Sequence, residues 1–247
     1  MNPYETDALL SQYLDFHFGP PHFDVPNYPA ACAAACVEAM VEGPLETALD
    51  LGCAVGRTSF ELARTFNRVT AVDLSTRFIG AAQELQSEGR LSYTVVDEGE
   101  LWSPREADLE ALGLAETRHR VSFLQGDACR LEGLGSAFDL VFAGNLIDRL
   151  AEPAAFLQQV HRHLHVGGYL VLSSPYTLLE EYTPRAHWIG GYYVDGQPRT
   201  VRDGLHRWLD DHFTPVGVPQ DLPFVIRETR RKYQHTLAEL TVWRRTR

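Results

Sequence analysis

The sequence predicts an α/β fold, a doubly wound, mostly parallel sheet with helices on both faces. Three observations carry this. Short apolar segments alternate with helical stretches from about residue 30 onward, the order that builds parallel strands joined by right-handed crossovers. A glycine-rich turn, Gly52 to Gly56, ends the first apolar segment and opens a helix. Near the C-terminus the rhythm changes to period two, with Leu237, Leu240 and Val242 separated by polar residues, which is the mark of an antiparallel hairpin closing the sheet.

The elements follow in order. Residues 30–42 read as an Ala-rich helix, Thr47 to Leu51 as the first strand, and Arg57 to Phe66 as the helix after the glycine turn. Val69 to Asp73 is the second strand and Thr76 to Ser87 its helix. Val121 to Gln125 and Phe138 to Ala143 are the third and fourth strands, Pro153 to Leu164 a helix, and Tyr169 to Ser174 the fifth strand. These strands are apolar on both sides, as parallel strands covered by helices are. Phe224 to Thr229 and His235 to Arg244 bring the sheet to seven strands. One domain is expected over residues 1–247, with three excursions: an aromatic and Pro-rich lid at 1–29 holding Tyr4, Tyr13, Phe16, Phe18, Phe23 and Tyr28, and insertions at 88–118 and 175–223. Long excursions in a compact domain usually form lids or binding loops.

Composition removes several function classes. The 247 residues carry 22 Lys and Arg against 33 Asp and Glu, a net charge of -11, the wrong sign for a nucleic-acid binder, whose affinity rests on phosphate contacts. The basic cluster of Arg227, Arg230, Arg231, Lys232, Arg244 and Arg245 reads as solvated decoration of edge strands. The four cysteines, Cys32, Cys36, Cys53 and Cys129, form no CxxC pair, and no metal site is expected. His161, His163 and His165 alternate, so they do not share a helix face; they read as favourable charges at a helix C-terminus. With no secretory signal and no apolar run of roughly 20 residues, the expected setting is cytoplasmic, with no membrane partner.

The chemistry concentrates around Ala48-Leu-Asp-Leu-Gly-Cys-Ala-Val-Gly-Arg57. Glycines at a strand end let the backbone approach a ligand and take otherwise strained angles. Asp73 ends the next strand, where a carboxylate can take two ribose hydroxyls. Dinucleotide binders want G-x-G-x-x-G; here Gly52, Ala54 and Gly56 give G-x-A-x-G, preceded by Asp50. A carboxylate at that point repels a pyrophosphate but suits a cationic ligand.

This pattern resembles motif I of the class I S-adenosylmethionine (SAM)-dependent methyltransferases, D-x-G-x-G-x-G, with Ala54 at the middle glycine. Gly126-Asp127-Ala128, Phe138 to Asn145, and Val166-Gly167-Gly168 follow in the family's order. The resemblance implies a Rossmann-like fold and SAM as cofactor. It assigns Asp50, Gly52, Cys53, Gly56, Arg57, Asp73, Leu74, Asp127, Ala128 and Asn145 to cofactor binding, with Asp127 against the adenine amino group.

The flanking segments narrow the resemblance. Tyr4-Glu-Thr-Asp7, Tyr13 to Gly19, Leu49 to Glu61, Glu98 to Leu101, Gln125 to Cys129, Ser174 to Pro184 and Trp188 to Gly191 together look like the methyltransferases of ovothiol biosynthesis. In that family the domain is typically fused C-terminally to an iron-dependent sulfoxide synthase, and no synthase-length region or iron-site histidine triad is present here. The resemblance implies methylation of an imidazole nitrogen of 5-thiohistidine, giving ovothiol A and S-adenosylhomocysteine, with a separate sulfoxide synthase and a lyase as pathway partners.

Candidate substrate and catalytic residues come from position. Asn145 follows the fourth strand and can donate to or accept from an imidazole edge, or cap a helix. Arg149 can pair with a carboxylate or form a surface ion pair. Tyr176, Glu180, Glu181 and Tyr182, after the fifth strand, offer acceptors for an amino group and an imidazole N–H, with one glutamate turned inward. Trp188, Tyr192 and Tyr193 can stack on a flat ring or sulfonium. Tyr13 and His17 lie four apart on an N-terminal helix and share a face; His17 can serve as a base or simply pack. Two other readings stay open: methylation of another small amine, imidazole or thiol, and a non-catalytic SAM-binding module.

Overall fold

Along the central strands, side chains alternate between two apolar clusters. Leu140 and Phe142 join one cluster, while Val141 and Ala143 join the other. Tyr169 and Val171 divide from Leu170 and Leu172 in the same way. That period of two, with both faces buried, makes the sheet doubly wound. The structure is a computed structural model that describes residues 3–40, 43–131, 133–135 and 137–247.

The strands are β1 (Thr47–Leu51), β2 (Arg68–Asp73), β3 (Arg90–Glu98), β4 (Leu101–Asp108), β5 (Val121–Gln125), β6 (Phe138–Gly144), β7 (Leu164–Ser174), β8 (Tyr192–Val194), β9 (Gln197–Arg199), β10 (Phe213–Pro215), β11 (Gln220–Arg227) and β12 (Tyr233–Arg245). The helices are α1 (Asp7–Phe18), α2 (Tyr28–Ala39), α3 (Arg57–Leu62), α4 (Thr76–Glu88), α5 (Pro153–Gln159) and α6 (Val201–Leu209). The main sheet runs β12-β7-β6-β1-β2-β5. All neighbours from β7 to β5 are parallel, and β12 is antiparallel to β7. Residues of α1 to α4 fill one face, and Phe156, Leu157, Leu205 and Leu209 of α5 and α6 fill the other.

The predicted seventh strand is two strands. β10 pairs with Trp243 to Arg245 and β11 with Tyr233 to Leu240, so they share the outer edge of β12 in succession. Seven sheet positions are thus filled by eight strands. The hairpin strands also start earlier than the apolar alternation suggested, at Gln220 and Tyr233.

Other boundaries moved for local reasons. The helix expected at 30–42 begins at Tyr28, because the Asn27 side chain accepts from the Ala30 N–H and Pro29 suits the first turn; residues 41 and 42 lie outside those described, as do residues 1 and 2 of the expected lid. The helix expected to reach Phe66 ends at Leu62. That expected at Pro153 to Leu164 ends at Gln159, passes through a 3-10 turn, and Leu164 already belongs to β7. The insertion at 88–118 is the hairpin β3–β4, packed on α1 and α4. That at 175–223 holds β8, β9, α6 and β10, with Thr200 and Asp203 forming a capping box on α6.

Of the three alternating histidines, His161 and His163 lie in the last turn of the 3-10 helix that continues α5, as expected, while His165 is on β7. His161 stacks on His212 with ring centroids 3.8 Å apart, His163 bonds the Gly135 carbonyl, and His165, on β7, meets Asp139 at 2.8 Å. Arg227 also departs from solvated decoration: its nearly buried side chain pairs with Asp97 at 2.7 Å. No helix among the described residues is long and apolar enough to cross a membrane.

Candidate functional site

The sheet order reverses between β1 and β6, and a crevice opens there at the carboxyl ends of the strands. It holds a cavity of about 530 Å³. Asp50 and Gly52 come from β1 and its turn, Asp73 from β2, Asp127 from beyond β5, and Asn145 from beyond β6. Tyr13, Phe16 and His17 of α1 and Tyr28 and Cys32 of α2 cover it. Residues of both α1 and α2 thus line that side of the cavity.

The glycine turn is left-handed at three positions: Gly52 (φ 72), Ala54 (φ 48) and Gly56 (φ 89). A Cβ on Gly52 would sit 3.0 Å from Leu146 Cδ1, and one on Gly56 would collide with the Phe123 ring at 2.6 Å. Gly56 is thus required for packing, away from the cavity. Ala54 takes the backbone angle that the usual middle glycine would, and its N–H donates to Asp73 Oδ2 at 2.9 Å. The other Asp73 oxygen accepts from the Ser75 N–H at 2.8 Å. Each oxygen keeps a second lone pair for a ligand. Burial pushes the Asp73 carboxyl up from its ordinary value, and the backbone N–H bonds oppose this.

Asp50 is buried behind this turn and accepts from Ser59 Oγ at 2.6 Å. Burial, with Asp73 adding repulsion, pushes its carboxyl up to about 7. Cys53 and exposed Leu74 line the cavity as apolar wall, and burial pushes the Cys53 thiol well up. Asp127 lines it too, with Oδ1 accepting from the Cys129 N–H at 2.8 Å, and Ala128 lies beside it. Arg57 does not line it. Its guanidinium bonds Glu61 and the His17 carbonyl, so it ties α1 to α3.

The remaining wall is aromatic and polar. Asn145, also left-handed (φ 50), does not cap a helix; it forms a bend after β6 whose N–H donates to the Ser173 carbonyl at 2.8 Å. Its Oδ1 accepts from the Tyr28 hydroxyl at 2.9 Å. Arg149 lines the cavity, bonds Asp148 and the Thr177 carbonyl, and lies over the Tyr182 ring at 4.6 Å. Tyr182 meets Tyr4 at 6.4 Å, and Tyr13 packs on Phe78 at 4.8 Å, so the N-terminal segment and the loop after β7 close on each other.

His17 lines the cavity with Tyr13 beside it, ring centroids 6.0 Å apart. Its Nδ1 accepts from the Arg57 N–H at 3.4 Å. Complete burial, with Arg57 adding to it, pushes the imidazole down to about 3. A neutral ring that resists protonation so strongly is a poor base, so His17 packs and caps instead.

Six expected substrate residues lie elsewhere. The Tyr176 hydroxyl donates to Glu239 Oε1 at 2.7 Å, and Glu239 also pairs with Arg202, which turns the tyrosine toward β12. Glu180 and Glu181 are both exposed on a surface turn, so neither faces inward. Trp188 donates to the Thr183 carbonyl at 2.8 Å, and Arg185 lies over both Trp188 and Tyr192; these rings pack on their own loop. Exposed Tyr193 lies on the same β8–β9 hairpin. Conversely, the hairpin residues Phe224, Ile226, Gln234 and Thr236 line the cavity. The sequence placed most of them in the closing hairpin, but not the face that they present.

Residues 49–172 match the family model described as a methyltransferase domain. The ubiquinone biosynthesis O-methyltransferase of Azorhizobium caulinodans is 24% identical over 174 residues, covering 70% of this chain and 55% of that protein; the chain thus spans about half the length of that relative. The solved N-methyltransferase NodS from Bradyrhizobium japonicum, in complex with S-adenosyl-L-homocysteine, is 16% identical with a TM-score of 0.55, over 96% of this chain and 99% of that one. A structure solved for the conversion of a disulfide bond into a thioacetal group during echinomycin biosynthesis is 19% identical with a TM-score of 0.56, over 94% and 91%. These structural likenesses establish the α/β methyltransferase fold. The chain belongs to the methyltransferase-domain family and carries a SAM-dependent methyltransferase domain.

Proposed function

We propose that the chain is a small-molecule N-methyltransferase that moves the methyl group of SAM onto an imidazole nitrogen of 5-thiohistidine, giving ovothiol A and S-adenosylhomocysteine. The observation that carries this reading is the covered cavity itself. Its strand-end wall offers Asp50, Asp73, Asp127 and the Asn145 amide, while its cover offers an aromatic face. A small polar molecule suits a concave site of that kind. The sequence resemblance over the flanking segments supplies the acceptor's identity.

The residues present fit the cofactor. Gly52 leaves room that a Cβ would fill against Leu146. Asp73, fixed by two backbone N–H groups, suits the ribose hydroxyls, and Leu74 and Asp127 suit the adenine. Among the described residues no cation pairs with the buried Asp50 carboxyl, and the positive methionine end of SAM would favour its charged form. When bound, SAM supplies an electrophilic methyl on a sulfonium. The chain's part is to hold the acceptor with a ring-nitrogen lone pair toward that methyl and to exclude water. Transfer would form the N–C bond as the methyl leaves its sulfonium, with the proton on the other ring nitrogen released to solvent. A separate sulfoxide synthase and a lyase would provide the thiohistidine.

The test is mass spectrometry of a reaction containing SAM and a panel of histidine derivatives. Methylated thiohistidine and stoichiometric S-adenosylhomocysteine support the reading. Equal turnover of plain histidine or of an unrelated small amine or thiol would replace the acceptor. Tight SAM binding with no methylated product from any small acceptor would leave a binding module.

A further inference from the structure

Asn145 is held from three directions. Its backbone is left-handed, an arrangement that asparagine tolerates better than most residues. Its N–H is fixed on the Ser173 carbonyl of β7 at 2.8 Å. Its side-chain oxygen takes the Tyr28 hydroxyl of α2 at 2.9 Å. Strained backbone under such control is a common feature of sites that must be pre-organised.

The Tyr28 hydroxyl also lies 2.8 Å from Ser173 Oγ. A phenol has one proton. With that proton on Asn145 Oδ1, the serine hydroxyl must be the donor to Tyr28, so donation runs Ser173 to Tyr28 to Asn145, and each bond strengthens the next. Tyr28 is 5% exposed and lies against Phe16 at 6.0 Å and Phe224 at 4.9 Å, which leaves its ring little freedom. Among the described residues no group accepts from the Asn145 amide nitrogen, and Asn145 lines the cavity.

From this geometry we infer that Tyr28 is a positioning residue, fixing the Asn145 amide with its oxygen on the Tyr28 hydroxyl and its NH2 group left to donate toward the cavity. The inference rests on the methyltransfer reading of the cavity but not on thiohistidine as the acceptor. It has a consequence for substrate class. The NH2 group of Asn145 pairs with a lone pair, not with an imidazole N–H or an ammonium. The acceptor must meet it with a lone-pair atom other than the one that is methylated, such as a thiolate sulfur or a carboxylate oxygen.

Tyr28→Phe keeps the ring contacts and deletes the donor. Expected results are SAM affinity within about twofold of wild type by calorimetry and a loss of about tenfold in kcat/KM for the acceptor. The double variant Tyr28→Phe with Asn145→Ala should be no slower than Asn145→Ala alone, because Tyr28 acts through Asn145. Losses that multiply would overturn the proposal, since they would give Tyr28 a separate role. A second readout needs no substrate: the side-chain amide pair of Asn145 in 15N-labelled protein, assigned from its disappearance in Asn145→Asp. Tyr28→Phe should broaden or double that pair as the amide flips, and an unchanged pair would overturn the proposal. Should Tyr28→Phe not fold, Ser173→Ala removes the donor that feeds Tyr28 and should give the same non-additivity with a smaller loss. If thiohistidine is not turned over, the acceptor assignment falls, and the amide signals still decide the role of Tyr28.

Discussion

Asp73 bridges two segments beside the cavity: one carboxylate oxygen holds the Ala54 N–H of the glycine turn, and the other holds the Ser75 N–H at the start of α4. The bridge fixes the carboxylate at the strand end with a lone pair free on each oxygen. Asp73→Ala should lower SAM affinity by roughly 10- to 100-fold, the loss of one or two charge-assisted hydrogen bonds. Calorimetry giving unchanged affinity would remove Asp73 from the cofactor site.

Gly52→Val should act through both backbone and space. Valine is strained at φ 72, and its Cβ would press on Leu146 at 3.0 Å. Stability should fall by about 1–3 kcal/mol, and SAM binding should weaken with it. Denaturant melts and calorimetry read the two effects separately, and a variant normal in both would mean that the turn does not approach the ligand.

The raised carboxyl of Asp50 gives a pH test whose sign is fixed. In the cofactor-free protein it titrates at about 7, above its ordinary 3.8. The folded state therefore holds the proton more tightly than the unfolded chain does, and this group's contribution to stability falls as pH rises from about 4 to 7. A cationic ligand favours the carboxylate, so SAM affinity should rise as pH increases through about 7. In Asp50→Asn both slopes should flatten. A wild-type pH profile that survives in Asp50→Asn would assign the titration to another group.

The loop after β7 separates into parts that touch the cavity and parts that do not. Glu180→Gln and Glu181→Gln should leave kcat/KM within about twofold, as exposed substitutions do. Arg149→Gln, which removes the cation over Tyr182 and the bond to the Thr177 carbonyl, should lower kcat/KM by about tenfold. Steady-state kinetics with the reverse ranking would put the glutamates, and not Arg149, at the substrate.

Much of the fold was legible because the strands are short and apolar and because Gly52 and Asp73 fall at the strand ends that border the crevice. The split edge strand was not, since β10 is three residues long and carries no periodicity of its own. The strand-end residues of the site were readable from motif position. The cover was only half readable: Tyr13 and His17 share a helix face by spacing, but Tyr28 joins Asn145 across 117 positions of sequence, a contact set by tertiary packing. Tyr176 and the two glutamates misled for the same reason. Their side chains follow partners, Glu239 and solvent, that lie outside any local pattern.

The most direct measurement is a timed reaction of the protein with SAM and 5-thiohistidine, followed by mass spectrometry with fragmentation that locates the added methyl. The account predicts one methyl on an imidazole nitrogen, formed in step with S-adenosylhomocysteine, and slow or no turnover of histidine lacking the sulfur. A methyl on sulfur or the α-amino group, or histidine methylated as fast as thiohistidine, would contradict it.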